Sequence, residues 1–213
     1  MSVNSSTDIC NLALDLLSGG TVHDIENPSD ATEELFNRWY DTTRRRLLRE
    51  HPWNFAAKRA VLAASSTAPT FGYNKAFPVP ADFVRVLYIN DTRYTSDVPT
   101  ATELYQFEDN KILTSDLFTS EDTLKLVYIK DFTDIPRMDP MFVDLLAHEL
   151  ALRVAYKITE TNTNIERLAQ IRKDASKIAK AVDGQERPPR RVERSNSRHA
   201  RMSGRGNEHR ITF

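Results

Sequence analysis

Residues 38–60 read RWYDTTRRRLLREHPWNFAAKRA. In this stretch a charged amphipathic helix is followed by a proline that ends it. Asn27 suits the cap of that helix, and Pro28 suits its first helical position. The helix should end near Glu50, because Pro52 cannot continue it. Its inner stripe, at helical spacing, consists of Phe36, Trp39, Tyr40, Thr43 and Leu47.

The spacing of apolar residues predicts three further helices. The first starts at about Thr7 and stops at the glycine pair of residues 19–20. The second runs from Asp139-Pro140 to about Ile158, and the last covers about residues 164–182 until Gly184 ends it. The last helix has one narrow apolar seam, made of Leu168, Ile171, Ala175, Ile178 and Val182.

The middle of the chain has short β-branched and aromatic runs in place of helical spacing. Pro78 and Pro80 keep their segment extended, and Asn90-Asp91 suits a tight turn. We predict an antiparallel β subdomain of four to six strands over about residues 77–130. The predicted strands lie near residues 83–89, 104–107, 111–114 and 124–129.

The sequence therefore predicts an α+β fold, with an antiparallel up-down helical bundle, a small inserted antiparallel β subdomain and an extended C-terminal arm. The first part of the bundle is residues 1–64, and the β subdomain is residues 65–133. The second part of the bundle is residues 134–183, and the arm is residues 184–213.

Charge is distributed unevenly along the chain, although the formal total is only −1. The arm carries eight Arg against three Glu and has few aliphatic side chains. Alone in water it cannot bury enough apolar surface to fold. A basic arm on an acidic body predicts a segment that becomes ordered against a partner.

The sequence contains no recognisable catalytic motif, metal-ligand spacing or cofactor fingerprint. His148-Glu149 lacks the second histidine of a zinc protease helix, because position 152 is Leu. The single cysteine, Cys10, excludes an intramolecular disulfide and sits at an apolar position, which predicts a buried thiol. We expect no catalytic residue, no metal, no cofactor and no contact with a membrane.

Two other classes of function stay open. A glycan hydrolase acting on the cell wall would need two carboxylates on one site, and the arginines of the arm could bind DNA phosphates. The arm lacks the regularly spaced aromatic side chains that stack on bases. The acidic pairs available to a hydrolase are Glu33-Glu34, Glu121-Asp122 and Asp139 with Asp144.

The segment 38–60 resembles the R-x-Y-D-x-x-R-x-x-L-L-R-x-H-P-W-N-F-A-x-x-R-A stretch of the head-to-tail adaptors, or tail tubular proteins A, of short-tailed bacteriophages. Residues 9–17, ICNLALDLL, resemble the first helix of that family, and residues 77–86, FPVPADFVRV, resemble a later block. The resemblance covers roughly residues 7–183 in order, and its most specific part is the block 51–55, HPWNF. The arm matches no motif of the family.

The resemblance implies a structural virion connector that is not an enzyme. Such proteins form a ring of twelve copies between the portal protein and the tail nozzle protein, extending the channel through which genomic DNA passes without sequence-specific contact. Location at the head–tail junction of the virion, after assembly in the host cytoplasm, follows from the same resemblance. Family members engage the portal with C-terminal segments, so the portal-binding candidates are Arg187, Arg190, Arg191, Arg194, Arg198, Arg201, Arg205, Arg210 and Phe213.

The body of the chain contains two further groups of candidate residues. Asp41, Arg44 and Arg45 lie largely off the inner stripe of their helix, and this polar cluster is a candidate subunit interface. The block after the helix is expected to act as a structural anchor in the core, because large aromatic side chains bury much surface at a turn. The anchor residues are His51, Trp53 and Phe55.

Overall fold

The computed structural model describes residues 3–90, 92–93, 105–115, 122–159 and 165–186. Within these ranges the chain forms four α-helices and seven strands in two small antiparallel sheets. The predicted α+β class is confirmed. All nine portal-binding candidates, from Arg187 to Phe213, lie outside the described residues, as does Glu121.

The four helices are α1, Ser6–Asp15; α2, Ala31–Glu50; α3, Pro140–Thr159; and α4, Ile165–Gln185. A capping box starts α1, because the Ser5 hydroxyl accepts from the Asp8 backbone N–H while the Asp8 carboxylate accepts from the Ser5 N–H. The cap of α2 is Asp30, whose carboxylate accepts from the N–H of Glu33 at 2.8 Å. The helix therefore begins later than the predicted Pro28.

The C-terminal end of α4 differs from the prediction. The helix continues through Gly184 to Gln185, so the prediction that Gly184 ends it is wrong. The backbone carbonyl of Asp183 accepts a hydrogen bond from Asn54 Nδ2 at 2.6 Å. A side-chain donor thus satisfies a carbonyl that a helix end would otherwise leave unpaired, and the last turn persists.

The buried face of α4 is also rotated relative to the predicted apolar seam. Leu168, Ser176, Ala179 and Asp183 are the buried residues, so the seam prediction is wrong for most of its members. Polar contacts explain the rotation, because Arg172 and Asp183 of this helix bond to the neighbouring elements. The exposed members of the predicted seam are Ile171, Ile178 and Val182, called the α4 stripe below.

The seven strands form one four-stranded and one three-stranded sheet. The first has the order β1-β7-β3-β4 and the second the order β2-β6-β5, with every pair antiparallel. In the β5–β6 hairpin, Asp109 and Asn110 both have positive φ, as a two-residue type I′ turn requires. The strands are β1, Ala57–Ala63; β2, Lys75–Pro78; β3, Phe83–Ile89; β4, Thr92–Arg93; β5, Tyr105–Glu108; β6, Lys111–Thr114; and β7, Thr123–Lys130.

Strand β1 was not predicted, because its sequence is rich in alanine and charge and only one of its seven residues is buried. It pairs with β7 along its whole length, from Ala57 opposite Ile129 to Ala63 opposite Thr123. The four-stranded sheet therefore starts directly after the block 51–55. The turn after α2 therefore leads directly into β1, an edge strand of this sheet.

Two apolar cores lie side by side. In the larger one α3 packs against α1, α2 and α4, and the core extends to the sheet residues Val84 and Ile129. The smaller core lies in the β part and includes Phe77, Ile112 and Tyr128. Cys10 is buried in the larger core, as predicted, and burial raises the pKa of its thiol. Across the described ranges, no helix has the length and apolarity needed to cross a membrane.

Candidate functional site

The guanidinium of Arg44 is buried and joins α2 to the segment that follows β7. Its Nη1 donates to Asp131 Oδ1 at 2.5 Å and to the carbonyl of Phe132 at 2.6 Å, and its Nη2 donates to Asp41 Oδ1 at 3.1 Å. Arg44 therefore lies on the inner side of its helix, not off the stripe as predicted. Arg44 therefore connects two elements of one chain that are distant in sequence, and we call it the Arg44 clamp.

The other two candidates for a subunit interface are exposed. The side chain of Asp41 is 75% exposed, and that of Arg45 is 58% exposed although its Nε lies 3.4 Å from Asp131 Oδ2. Asp131 thus receives two guanidinium groups, one buried and one at the surface. Arg44 holds Asp41 and Asp131 holds Arg45, and both of these interface candidates stay exposed at the surface.

The block 51–55 packs its aromatic side chains against α3. Trp53 is buried, and its indole N–H donates to the carbonyl of Leu47 at 2.9 Å. Its ring centroid lies 5.1 Å from that of Phe142, in an edge-to-face arrangement. Phe55 lies 5.1 Å from Phe142 and 5.2 Å from Phe132. Edge-to-face pairs of this kind add to the apolar burial of the rings.

The polar side chains of the same block contact the last turn of α4. Asp183 is buried, and its carboxylate accepts from the backbone N–H of Asn54 at 2.7 Å. His51 Nε2 lies 2.9 Å from the other carboxylate oxygen of Asp183. We call these three residues the Asp183 joint. The joint fixes the last turn of α4 to the block 51–55.

A network of ion pairs connects α2, α3 and α4 beside this joint. Arg46 of α2 and Arg172 of α4 both pair with Glu149 of α3, the latter at 2.6 Å. Glu50, at the end of α2, accepts from Lys180 at 2.7 Å and lies 3.3 Å from Arg172. Burial alone would raise the pKa of Glu50, but these cations hold it below its usual value. The three helices are therefore tied together by charge as well as by packing.

Exposed apolar side chains occur on α4 and near the end of α1, as well as on α3 and in the β part. Ile178 in the α4 stripe is 53% exposed, and Leu12 of α1 and the following Leu16 are also exposed. Because the residues of the α4 stripe recur at steps of seven and four, they form one continuous line along the helix. Exposed apolar side chains arranged in a line are typical of a surface that contacts another protein.

The acidic residues considered for a hydrolase have structural partners in the chain. The Glu33 carboxylate accepts from the backbone N–H groups of Ser29 and His23, at 2.7 and 2.8 Å, and from the Ser29 hydroxyl. These bonds lower the pKa of Glu33 to about 2. Asp139 caps α3 through the N–H of Met141, and Asp122 pairs with Lys75. Glu33, Asp122 and Asp139 thus have structural partners, while Glu121 lies outside the described residues.

Two cavities open on the described surface. The larger, of about 810 Å³, lies between the loop of residues 67–73 and the β5–β6 hairpin. The smaller, of about 220 Å³, lies beside the interface candidates Asp41 and Arg44. Among the residues that the structure describes, no group of His, Cys, Asp and Glu side chains has the arrangement of a metal site.

Sequence reasoning missed Asp131, Asn54 and Asp183 as parts of these clusters. Asp183 carries one detectable signal, because it recurs at helical spacing from Leu168, Ser176 and Ala179. Asp131 has none, since its relation to Arg44 spans 87 residues of sequence. No family model matches the chain, and no curated protein sequence matches it at a significant level.

Proposed function

We propose that this chain is a structural connector of a short-tailed bacteriophage virion, forming a ring of twelve copies between the portal and the tail nozzle. In this proposal the helices form an up-down bundle, the β part is an insertion, and the arm docks on the portal. The observation that carries it is the Asp183 joint. The block most similar to the adaptor family, residues 51–55, is the block that holds the last turn of α4, directly before the proposed arm.

The lateral contacts of the ring are assigned to the helical body. A surface that binds a different surface of the next copy closes into a ring when the rotation between neighbours closes. The α4 stripe supplies apolar area for such a contact, and exposed Asp41 and Arg45 supply charge. The ion pairs of Glu50 and Glu149 support this assignment, because they keep α4 rigid on α2 and α3.

Attachment to the portal is assigned to the arm. Its eight arginines suit carboxylates on an acceptor, and Phe213 suits an apolar notch. Each arm alone needs only a modest affinity, because twelve arms on one ring bind with high effective concentration. An acidic body is also suited to a channel, since it repels the phosphates of DNA that must slide past.

The arm is tested by deleting residues 187–213, which leaves Gln185 and the Asp183 joint intact. We expect the truncated chain to keep its unfolding midpoint and to lose binding to purified portal rings. A full-length variant with the residues of the arm in scrambled order is the matched control for charge alone. Undiminished portal binding by the truncated chain would overturn the assignment of the arm.

The same full-length and truncated chains distinguish a connector from a DNA-binding protein. A DNA-binding function requires binding to duplex DNA that weakens steeply with salt and disappears with the arm. The connector proposal predicts portal binding that exceeds any binding to DNA at the same salt concentration. The opposite order of affinities would favour the DNA-binding alternative.

A further inference from the structure

The outer side of strand β1 has no partner strand among the residues that the structure describes. This strand ends the four-stranded sheet, and it pairs with β7 on its inner side over all seven of its residues, without a break in register. An edge strand presents a row of backbone N–H and C=O groups to which another extended chain can add. The outer side of β1 is therefore a candidate docking site for a strand.

The hydrogen bonds between β1 and β7 identify the residues that face outwards. The carbonyl of Ala56, just before the strand, accepts from the N–H of Lys130 at 2.9 Å. Because an antiparallel ladder bonds every second residue to the same neighbour, the even-numbered residues of β1 bond to β7. The N–H and C=O groups of Arg59 and Val61 consequently point away from β7. We call these four groups the β1 edge.

The β1 edge lies in the middle of the strand, between two closed ends. At the start, the N–H of Ala57 bonds within the preceding turn, and past the end the N–H of Ser65 donates to the carbonyl of Ala76 at 2.7 Å. Between them, no backbone bond from the described part of the chain engages Arg59 or Val61 on the outer side. Both residues are exposed, Val61 by 68%. The β1 edge is therefore open to another chain.

The surface beside the β1 edge is positively charged. Lys125 of β7 lies directly opposite Val61, so its side chain shares a face of the sheet with Val61 and Arg59. Arg59 and Lys125 are exposed, and neither has a carboxylate partner within the described ranges. Lys58 lies on the other face and differs from them, because it pairs with Asp82 at 2.7 Å. An added strand thus meets two cations that no described carboxylate neutralises.

We propose that the β1 edge binds an extended acidic segment of a partner protein by strand addition. In this mode, backbone hydrogen bonds to Arg59 and Val61 supply affinity, and alternate side chains of the partner supply specificity. Successive side chains of a strand fall on opposite faces, so acidic residues at every second position come to lie beside Arg59 and Lys125. Opposite charges on neighbouring strands stabilise such a pair.

A separate segment suits the β1 edge better than a strand of a second copy does. The other strands that end a sheet in the described chain are shorter than β1, since β4 has two residues and β2 and β5 have four each. None of them matches a strand of seven residues. The proposal goes beyond the connector function, which assigns its contacts to the helices and the arm, so the two fail separately.

The test uses the full chain and a fluorescent seven-residue peptide of alternating glutamate and valine, with anisotropy as the readout. We expect saturable binding. A peptide with lysine in place of glutamate should bind at least about fivefold more weakly, because like charges then meet across the strands. The glutamate peptide with N-methylated backbone amides should also bind at least about fivefold more weakly, because it keeps its charge but loses its donors.

Substitutions in β1 test the edge itself. Val61→Pro removes an outward N–H and leaves the bonds to β7 in place, so binding of the glutamate peptide should fall at least about fivefold. Val61→Thr keeps the N–H and the β-branched shape, and it is the control that should bind as wild type does. Arg59→Glu, at an exposed position, should make the chain prefer the lysine peptide. Binding that is insensitive to both Val61→Pro and N-methylation would overturn strand addition.

Sedimentation of the full chain without peptide tests the choice of occupant. If the occupant is a separate protein, wild type, Val61→Pro and Arg59→Glu should self-associate equally. If both variants self-associate less than wild type, the β1 edge binds another copy, and the assignment to a separate partner is wrong.

Discussion

The carboxylate of Asp183 accepts a hydrogen bond from the backbone N–H of Asn54 at 2.7 Å, across 129 residues of sequence. This contact joins the turn after α2 to the last turn of α4. The backbone carbonyl of Asp183 also accepts a hydrogen bond, from Asn54 Nδ2. Asn54 therefore binds Asp183 at two points, the side chain and the backbone. The last turn of α4 is therefore held by the block 51–55.

Replacing Asp183 by Ala should destabilise the chain by about 2 kcal/mol, because the buried N–H of Asn54 loses its acceptor. Amide hydrogen exchange in the last turn of α4 should accelerate in parallel. Asp174→Ala is the matched control, since Asp174 lies on an exposed part of the same helix and pairs only with Gln170 and Lys177. Its expected cost is much smaller, because ion pairs at the surface contribute little. Equal effects of the two substitutions would refute the joint.

Arg44→Ala should cost about 3–5 kcal/mol in the free energy of unfolding, because it leaves Asp131 and the Phe132 carbonyl without their buried donor. Arg45→Ala, one residue along and exposed, should cost less than about 1 kcal/mol. Denaturant unfolding measures both. If Arg45→Ala cost as much as Arg44→Ala, the assignment of the Arg44 clamp would be wrong.

Glu33 should make the stability depend on pH in the acid range. Its pKa falls from an ordinary 4.5 to about 2, chiefly through the N–H groups of Ser29 and His23. Because the folded pKa is lowered, its stabilisation is complete above pH 4.5 and is lost as the pH falls towards 2. Unfolding of wild type and Glu33→Gln should differ at pH 7 and converge near pH 2. Glu34→Gln, at the exposed neighbour, is the control. Its unfolding should not show this pH-dependent difference from wild type.

Substitutions in the α4 stripe should separate assembly from folding. Ile178→Asp removes an exposed apolar contact, so the unfolding free energy of the single chain should change by less than about 0.5 kcal/mol. Ring formation should weaken at least about tenfold, because a charge is placed in an apolar interface. Phe71→Asp, at a position 86% exposed in the β part, is the control and should leave rings intact. Mass photometry of the mixtures with portal distinguishes the two outcomes.

Local sequence patterns predicted the elements whose signals are local. The exit of α2 before Pro52, the start of α3 at Pro140 and strand β6 at Lys111–Thr114 lie where periodicity and proline chemistry indicate. Strand β1 was missed because its partner β7 lies 60 or more residues away and supplies the pairing. Propensity alone is weak for such a strand.

The candidate site was less predictable, because it depends on contacts between distant segments. Arg44 was predicted off the inner stripe of α2, although its place four residues after Tyr40 and three before Leu47 is compatible with the inner face. The spacing does not reveal Asp131, whose carboxylate compensates the buried charge of Arg44. The rotation of α4 follows likewise from Arg172 and Asp183 meeting partners on other helices.

Electron microscopy of the full-length chain mixed with purified portal rings tests the connector proposal most directly. The account predicts that each portal gains one added ring of twelve copies, which is lost when residues 187–213 are deleted. A chain that remains monomeric beside unchanged portal rings would contradict it.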